Sequence, residues 1–223
     1  MLAPAALLAR LTPTHRILCI TCHPHAHGLA VSDAYLANAS PLPAIPLGAG
    51  SDGPRLLASL RDVIAERELV GDIGAVAFGL PMAASPGPAG GDDEERAVRA
   101  SRDEFASTFL RPPNGGDGAP AAVDGSFGGE PEDGPRPPPP PFASLELRCV
   151  VDVPRLAFDD VLALAADEPE MWEGVAPWLA AAAAGARADG GDALESAPPS
   201  VHATVALNQF LWEHCGGWRN TFG

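Results

Sequence analysis

Residues Arg16 to Asp33 have the sequence RILCITCHPHAHGLAVSD, and this stretch decides the fold. Its apolar residues predict a β-hairpin, because two short apolar runs flank a turn that contains Pro24. The first strand runs from Ile17 to Ile20 and the second from Gly28 to Ser32. The same letters allow two other interpretations, a haem attachment site and a soft-metal site, and the neighbouring residues have to decide between them.

The haem interpretation rests on Cys19, Cys22 and His23, which have the C-x-x-C-H spacing of haem attachment. That chemistry needs the histidine on a helix as an axial ligand, but Pro24 follows His23 directly and the flanking residues are strand-like. The preferred interpretation is therefore a chance occurrence of this spacing in a hairpin.

The soft-metal interpretation uses two thiols and three imidazoles, from Cys19, Cys22, His23, His25 and His27. In a strand, however, Cys19 and Cys22 point to opposite faces unless a tight turn intervenes. A surface turn that binds metal only adventitiously is the simpler hypothesis, and a zinc or copper site remains the alternative.

The charge of the chain argues against tight, unaided binding of nucleic acid. The net charge is −15, and all 14 basic residues are arginine. Residues 1–90 contain six acidic residues and five arginines, whereas residues 91–223 contain 23 acidic residues and nine arginines. No basic patch or stripe is visible in the sequence, and such a patch is what binding to phosphate requires.

Cysteine usage and hydropathy indicate in which cellular compartment the protein is expected. Four irregularly spaced cysteines do not predict a disulfide scaffold in a chain of 223 residues, so we expect reduced thiols. No apolar run approaches the ~20 residues that span a bilayer, so we expect no membrane segment. The first sixteen residues contain two arginines and no acid, a composition that faintly resembles the end of a transit peptide. The expected location is the cytoplasm, or a plastid or mitochondrion.

Further along the chain the apolar pattern alternates between strands and helices. Strands are predicted at Leu42–Leu47, Ile73–Phe78 and Leu145–Val151, and helices at Leu56–Glu68, Asp92–Leu110, Leu156–Ala166, Met171–Ala184 and Ser200–His214. Pro43 and Pro46 break the first of these strands, so we expect it to be irregular or to lie at an edge of the sheet. Trp172, Trp178 and Trp212 lie in helical patterns and are expected in the core. The order predicts an α/β fold with an RNase H-like mixed five-stranded sheet flanked by helices.

The domain boundaries follow from composition. Residues 1–15 are predicted to be an N-terminal extension, residues 16–214 one domain, and residues 215–223 a C-terminal tail. Two acidic segments rich in Pro and Gly, 112–141 and 187–199, interrupt the domain. They contain too little apolar surface to offset the entropy lost on ordering, so we predict that they are disordered inserts.

Three strings resemble the YqgF/RuvX family of RNase H-fold proteins, which are regarded as nucleases of small-subunit pre-rRNA and relatives of Holliday junction resolvases. They are GLAVSD at 28–33, ASPLPAI at 39–45 and VAFGLPM at 76–82. The spacings between the strings also fit the family. The resemblance implies an RNase H-like domain, a role in ribosomal RNA processing, and RNA or a ribosome-assembly protein as partner.

The family's metal site is only partly present in this chain. The resemblance implies Mg2+ held by carboxylates from the first strand, a later strand end and the last helix. Counting back from Gly28, the first-strand aspartate falls on Thr21, whose neutral hydroxyl is a poor ligand for Mg2+. Asp152 and Arg155 are the remnants of the second cluster. At the last helix the family has another aspartate, and the nearest positions here are Pro199, Ser200 and His202.

The resemblance therefore implies a non-catalytic homologue that holds no cofactor. The alternative is an active nuclease in which Asp33, or acids of the inserts, rebuild a Mg2+ site. The segment Gly79, Leu80 and Pro81 lies beside the nucleic-acid cleft in active family members, which implies a nucleic-acid contact here. Its simpler role is structural, because Gly permits a turn and Pro ends a strand.

Overall fold

A computed structural model describes residues 3–48, 53–82, 96, 99–100, 102–103, 150–153, 157–167, 169–189 and 197–222. The predicted helix from Asp92 to Leu110 is described at only five residues, all of them helical. The predicted insert at 112–141 and the candidate residue Arg155 lie outside the described residues.

The described strands form one mixed sheet. They are β1 (Arg16–Cys22), β2 (Ala26–Ser32), β3 (Ala39–Pro46), β4 (Ile73–Gly79) and β5 (Val150–Val153), in the order β3-β2-β1-β4-β5. The pairs β1–β2 and β2–β3 are antiparallel, and the pairs β1–β4 and β4–β5 are parallel. The predicted hairpin and the predicted α/β class, with helices flanking a mixed sheet, are confirmed.

The helices differ from the predictions mainly at their ends. They are α1 (Pro4–Leu8), α2 (Gly53–Glu66), α3 (Phe158–Asp167), α4 (Ala176–Asp189) and α5 (Pro199–Phe222), with a 3₁₀ turn at Pro169–Trp172. The last helix extends beyond its predicted end at His214, as far as Phe222. The predicted insert at 187–199 is helical at both of its ends. None of the described helices is long and apolar enough to cross a membrane.

The strands β1 and β2 are buried on both faces, which explains their continuous apolar runs. In each of them six of the seven residues are buried. One face packs on α2, through Leu56, Leu60 and Ile64. The other face packs on α5, through Ala203, Ala206, Leu207, Phe210 and Leu211. The sheet is therefore the middle layer of three.

The N-terminal extension is part of this packing. Leu7 of α1 is fully buried in the core between α5 and the sheet. Its neighbours Leu8 and Leu11 pack partly buried against the same core. Residues 4–11 thus contribute apolar side chains to the core of the domain. Their sequence pattern did not predict this packing.

The edge strand β3 carries the three prolines Pro41, Pro43 and Pro46. Proline has no N–H group and is confined to edge strands or bulges, so the prediction of an irregular or edge strand is confirmed. The inner residues Ala39, Leu42 and Ile45 are buried.

One tryptophan is not where its helical pattern predicts. Trp172 is only 1% exposed and lies in the core. Trp212 is 43% exposed, so the prediction of a core position for Trp212 is wrong. The inward positions of this turn of α5 are filled by Phe210, Leu211 and Cys215. The helix has only one buried side here, and Trp212 borders it.

Gly28 in β2 allows α5 to approach the sheet closely. A Cβ added at this position would overlap the backbone carbonyl of Pro199 and lie 2.6 Å from the Thr21 hydroxyl. A glycine in a strand interior commonly marks such a close approach of another backbone. Gly28 therefore fixes where the first turn of α5 rests.

We expect Gly28→Ala to lower the free energy of unfolding by about 3 kcal/mol, because backbone atoms would have to move. The matched control is Gly71→Ala, at a glycine with φ of 88° and no heavy atom within 4 Å of an added Cβ. That change adds only backbone strain, and we expect it to lower the free energy of unfolding by about 1 kcal/mol. Urea unfolding of both variants checks the difference, and equal losses would contradict the close approach.

Candidate functional site

The three positions that the resemblance assigns to metal ligands come from segments that meet at one end of the sheet. Thr21 is paired with Gly79 across β1 and β4, and Gly79 with Val153 across β4 and β5. Because these strands are parallel, their carboxyl ends share this end of the sheet. The first turn of α5 packs there, since Thr21 and Gly28 both lie against Pro199.

Thr21 occupies the first-strand position and is fully buried. Its hydroxyl donates a hydrogen bond of 3.3 Å to the backbone carbonyl of Pro199. The carbonyl of Pro199 at the start of α5 thereby accepts a hydrogen bond from a neutral side chain. The position that would hold a metal-binding carboxylate instead joins β1 to α5.

Asp152 lies in β5 beside Phe78 of β4. Thr21, Gly79 and Val153 occupy the next row of the sheet. Asp152 and Thr21 are thus in successive rows on two strands separated by β4. The backbone brings them to the same end of the sheet, and whether they act together stays a prediction.

The first turn of α5 contributes no carboxylate. Ser200 offers its carbonyl to the Thr204 hydroxyl at 2.8 Å, as part of the helix. His202 is 5% exposed, and its Nδ1 accepts a hydrogen bond of 3.0 Å from the backbone N–H of Met82. This imidazole therefore holds the segment that follows β4 against α5.

Asp33 does not join this group. Its carboxylate accepts a hydrogen bond of 2.8 Å from the N–H of Ala37, inside the turn between β2 and β3. Gly28 is the β2 residue opposite Thr21, and Asp33 lies five residues further along, roughly 17 Å away. The alternative in which Asp33 rebuilds the metal site beside Thr21 is contradicted by this separation.

The Gly79, Leu80 and Pro81 segment is packed at the same end. A Cβ on Gly79 would lie 2.9 Å from the Ala206 Cβ and 3.1 Å from the Thr21 Cγ2. Leu80 is 8% exposed and packs with Cys22. The geometry assigns Gly79 and Leu80 a packing role, and a nucleic-acid contact at this segment stays a prediction.

The two thiols of the C-x-x-C-H string are separated. Cys19 and Cys22 are both fully buried, Cys19 in the core beneath α5 and Cys22 beside Leu80. Burial raises the pKa of each thiol to about 12, and mutual repulsion adds to the shift of Cys19. Both are therefore protonated at neutral pH, whereas metal binding and nucleophilic chemistry need the thiolate.

The histidines of the hairpin are divided between core and surface. His27 is fully buried in β2, His25 is exposed, and His23 packs edge-on against His202 with ring centroids 4.7 Å apart. Burial lowers the pKa of His27 to about 4, and burial together with His27 lowers the pKa of His23 to about 4. The described residues contain no group of three or more side chains placed to hold a metal ion.

The described side chains packed at this end of the sheet include the Thr21 hydroxyl, the imidazoles of His23 and His202 and the protonated thiol of Cys22, on which the buried Arg102 also acts. Hard divalent cations prefer anionic oxygen ligands, and neither the Thr21 position nor the first turn of α5 supplies one. The described contacts at this end of the sheet are packing and hydrogen bonding.

Two features of the site were missed by reasoning from the sequence. Gly28 inside a strand is a signal for close backbone approach, which the family string by itself does not convey. The contact between His23 and His202 had no signal, because these residues are far apart in the chain. Only the packing of α5 brings them together.

Comparisons with family models and with curated proteins give no match for this chain. No family model matches it, and no curated protein matches it. The resemblance to the YqgF/RuvX family therefore rests on the three strings within residues 28–82, and the role of the site has to be argued from its geometry.

We expect the free energy of unfolding to fall as the pH drops from about 6.5 towards 4. The unfolded chain takes up a proton on His27 near its ordinary pKa of 6.5, whereas in the folded chain burial lowers this pKa to about 4. The stabilisation is present above pH 6.5, and up to about 3 kcal/mol is lost by pH 4.

Urea unfolding at several pH values measures this dependence. His27→Gln should make the curve shallower, even if it lowers stability overall, while His23 keeps its own contribution because its pKa is also lowered to about 4. His25→Gln is the matched control at an exposed histidine of the same hairpin. A curve for His27→Gln parallel to that of the unmodified chain would contradict the prediction.

Proposed function

We propose that this chain is a non-catalytic RNase H-like protein of the YqgF/RuvX type, which acts as a binding or scaffold subunit in ribosomal RNA processing. Its sheet supports this proposal, because an antiparallel β1–β2–β3 meander continues through parallel pairings to β4 and β5. The strings GLAVSD, ASPLPAI and VAFGLPM lie on β2, on β3 and at the end of β4.

The observation that carries the non-catalytic part is the hydrogen bond from Thr21 to Pro199. In nucleases of this fold the first strand and the last helix both supply carboxylates to the metal. Here the same two elements are joined directly by a hydroxyl and a carbonyl. A substrate phosphate or a cation at this point would have to displace that contact.

The electrostatics of the site favour the same conclusion. Two-metal hydrolysis depends on carboxylates that hold the ions about 4 Å apart and neutralise their charge. With Thr21 in the first strand and His202 in the last helix, Asp152 is the remaining acidic residue at the assigned positions. One carboxylate is too few to hold a pair of divalent cations.

The charge of the chain favours a protein partner within an RNA–protein particle over direct capture of RNA. A net charge of −15 opposes association with a polyanion, and binding to phosphate gains most of its affinity from cationic residues. A ribosome-assembly protein with a basic surface would be attracted to such a chain.

We expect the purified chain to cleave neither structured RNA nor four-way DNA junctions when Mg2+ or Mn2+ is supplied. Asp152→Asn should behave like the unmodified chain, and Thr21→Asp, which restores one carboxylate, should also remain inactive. The assay is metal-dependent cleavage of end-labelled substrates. Cleavage that is lost in Asp152→Asn would overturn the proposal and favour an active nuclease with rearranged ligands.

We also expect the tagged chain, expressed in its own cells, to sediment with precursor particles of the small ribosomal subunit. Gradient fractions and the RNA they contain give the measurement. Treatment of the lysate with ribonuclease separates attachment through RNA from attachment through protein. Recovery only in the fractions of free protein would contradict the role in ribosomal RNA processing.

A further inference from the structure

Three large apolar side chains are exposed in the part of the chain that the structure describes. They are Tyr35, Val70 and Trp212, which are 84%, 54% and 43% exposed. Val70 lies between α2 and β4, next to Leu69 in the core on the α2 face of the sheet. Tyr35 and Trp212 instead lie at one corner of the domain, where β3 begins.

The position of this corner follows from the contact between α5 and β3. Asn208 of α5 accepts a hydrogen bond of 2.8 Å at its Oδ1 from the N–H of Ala39, the first residue of β3. Trp212 lies one helical turn, about 5.4 Å, further along the same side of α5. Tyr35 belongs to the turn that precedes Ala39, and its neighbour Leu36 packs against the core beneath α5. Both exposed aromatic residues therefore adjoin the start of β3.

Carboxylates border the two aromatic residues. Glu213 directly follows Trp212 in α5 and is exposed. Glu173 is also exposed, and it precedes Gly174, where an added Cβ would lie 3.6 Å from the Ala39 carbonyl oxygen. Asp33, at the other end of the turn that carries Tyr35, is partly exposed. Acidic side chains thus approach this corner from α5, from the segment before α4 and from the turn between β2 and β3.

The basic groups described beside this corner do not offset these charges. Arg16 donates a hydrogen bond of 3.5 Å to the carbonyl of Ser32, but its Nε also lies 3.7 Å from the carboxylate of Asp72. His214 lies 3.7 Å from Glu213 and carries a charge only when it is protonated. The corner therefore combines exposed aromatic rings with a surplus of negative charge.

Gln209 holds the Glu213 carboxylate and places a second acceptor beside it. Its side chain is 6% exposed and lies one turn before Glu213. Its Nε2 donates a hydrogen bond to Glu213 Oε1, whereas its own Oε1 is buried and has no hydrogen-bond donor among the described residues. A buried acceptor without a donor is unfavourable. A cation with several N–H groups, attracted by Glu213, would supply that donor as the Glu213 side chain moves aside.

We propose that Tyr35, Gln209, Trp212 and Glu213 form a docking surface for an arginine-rich segment of a basic partner protein. A guanidinium group stacks on an aromatic ring and donates hydrogen bonds to carboxylate and amide oxygens at the same time. The inference rests on the proposed function, because it gives the basic partner proposed there a place on the chain.

The charges argue against other occupants of this surface. Bases of single-stranded RNA stack on exposed aromatic rings, but their phosphates would be repelled by the carboxylates around Trp212. In a symmetric dimer the same patch of both copies would meet, which would bring like charges together. A cationic protein segment is attracted to the carboxylates and gains the aromatic contact as well.

Binding of a synthetic peptide to the intact chain tests the surface. The probe is a fluorescently labelled peptide of alternating arginine and glycine, and fluorescence anisotropy measures its affinity. We expect binding that weakens as the NaCl concentration rises from about 0.05 to 0.5 M, because salt screens exposed charges. Trp212→Ala should weaken binding by about fivefold, since it removes the stacking ring and leaves the net charge unchanged. Glu213→Gln should weaken it by about threefold.

Matched controls separate this surface from general attraction between an acidic chain and a basic peptide. Val70→Ala removes another exposed apolar side chain, and Glu66→Gln removes a charge from an exposed residue of α2. Both should leave the affinity unchanged. Equal affinities of Trp212→Ala and Val70→Ala would overturn the proposal. If Trp212→Ala does not fold, as circular dichroism would show, Tyr35→Ala decides by the same comparison.

Two further measurements test the other occupants. Binding of an oligouridylate that is tighter than binding of the peptide and is lost in Trp212→Ala would overturn the proposal in favour of RNA. Dimerisation of the chain in analytical ultracentrifugation that is lost in Trp212→Ala would overturn it in favour of a second copy. A monomer that prefers the peptide supports the proposal.

Failure of this surface and failure of the proposed function give different results. The peptide assay uses the purified chain alone, whereas the role in ribosomal RNA processing is measured by sedimentation with precursor particles. Peptide binding that depends on Trp212, in a chain that sediments only as free protein, supports the surface and contradicts the role. Sedimentation with the particles that is equal for Trp212→Ala and the unmodified chain, without peptide binding, contradicts the surface alone.

Discussion

The close approach of the Pro199 carbonyl to Gly28 is the constraint on which the rest of this structure depends. Without a side chain at that position, α5 can rest directly on the hairpin, and its apolar side then covers the sheet as far as Cys215. The same approach brings the Thr21 hydroxyl within reach of the Pro199 carbonyl and the ring of His202 within reach of His23. A bulkier residue at 28 would change all three contacts together.

This constraint also bears on the chemistry. A metal site needs space for ions, their waters and a substrate, and it needs anionic ligands that gain more from the metal than they lose in hydration. In this chain two of the three positions instead hold the Thr21 hydroxyl, bonded to the Pro199 carbonyl, and the His202 imidazole, bonded to the Met82 N–H. The resemblance to a nuclease family and the absence of its carboxylates from two of three positions are therefore compatible, since a fold can persist while its site is replaced.

Much of the sheet could be predicted from the sequence because its signals are local. The hairpin follows from two apolar runs around Pro24, and β4 from the apolar run at 73–78 between glycines. The prolines of β3 correctly indicated an edge. The failures concern interactions over long distances in the chain: Leu7 is buried by α5, Trp212 lies at the border of a packed side, and α5 continues through Gly216 and Gly217. No local pattern specifies which helix will cover which strand.

The candidate site could also be predicted only where its signals are local in the sequence. Counting along the family string located Thr21, and the structure places it at a junction of strands and helix. The histidine contact depended on residues 179 positions apart, so only the packed structure could reveal it.

The prolines of β3 have a further consequence for the behaviour of the chain among its copies. A free strand edge presents N–H and C=O groups on which another chain can extend the sheet. Pro41, Pro43 and Pro46 supply no N–H groups, and in this strand only every third residue is buried. Growth of the sheet by strand addition is therefore disfavoured at β3, and this keeps an aggregation-prone edge unreactive at high local concentrations of the protein.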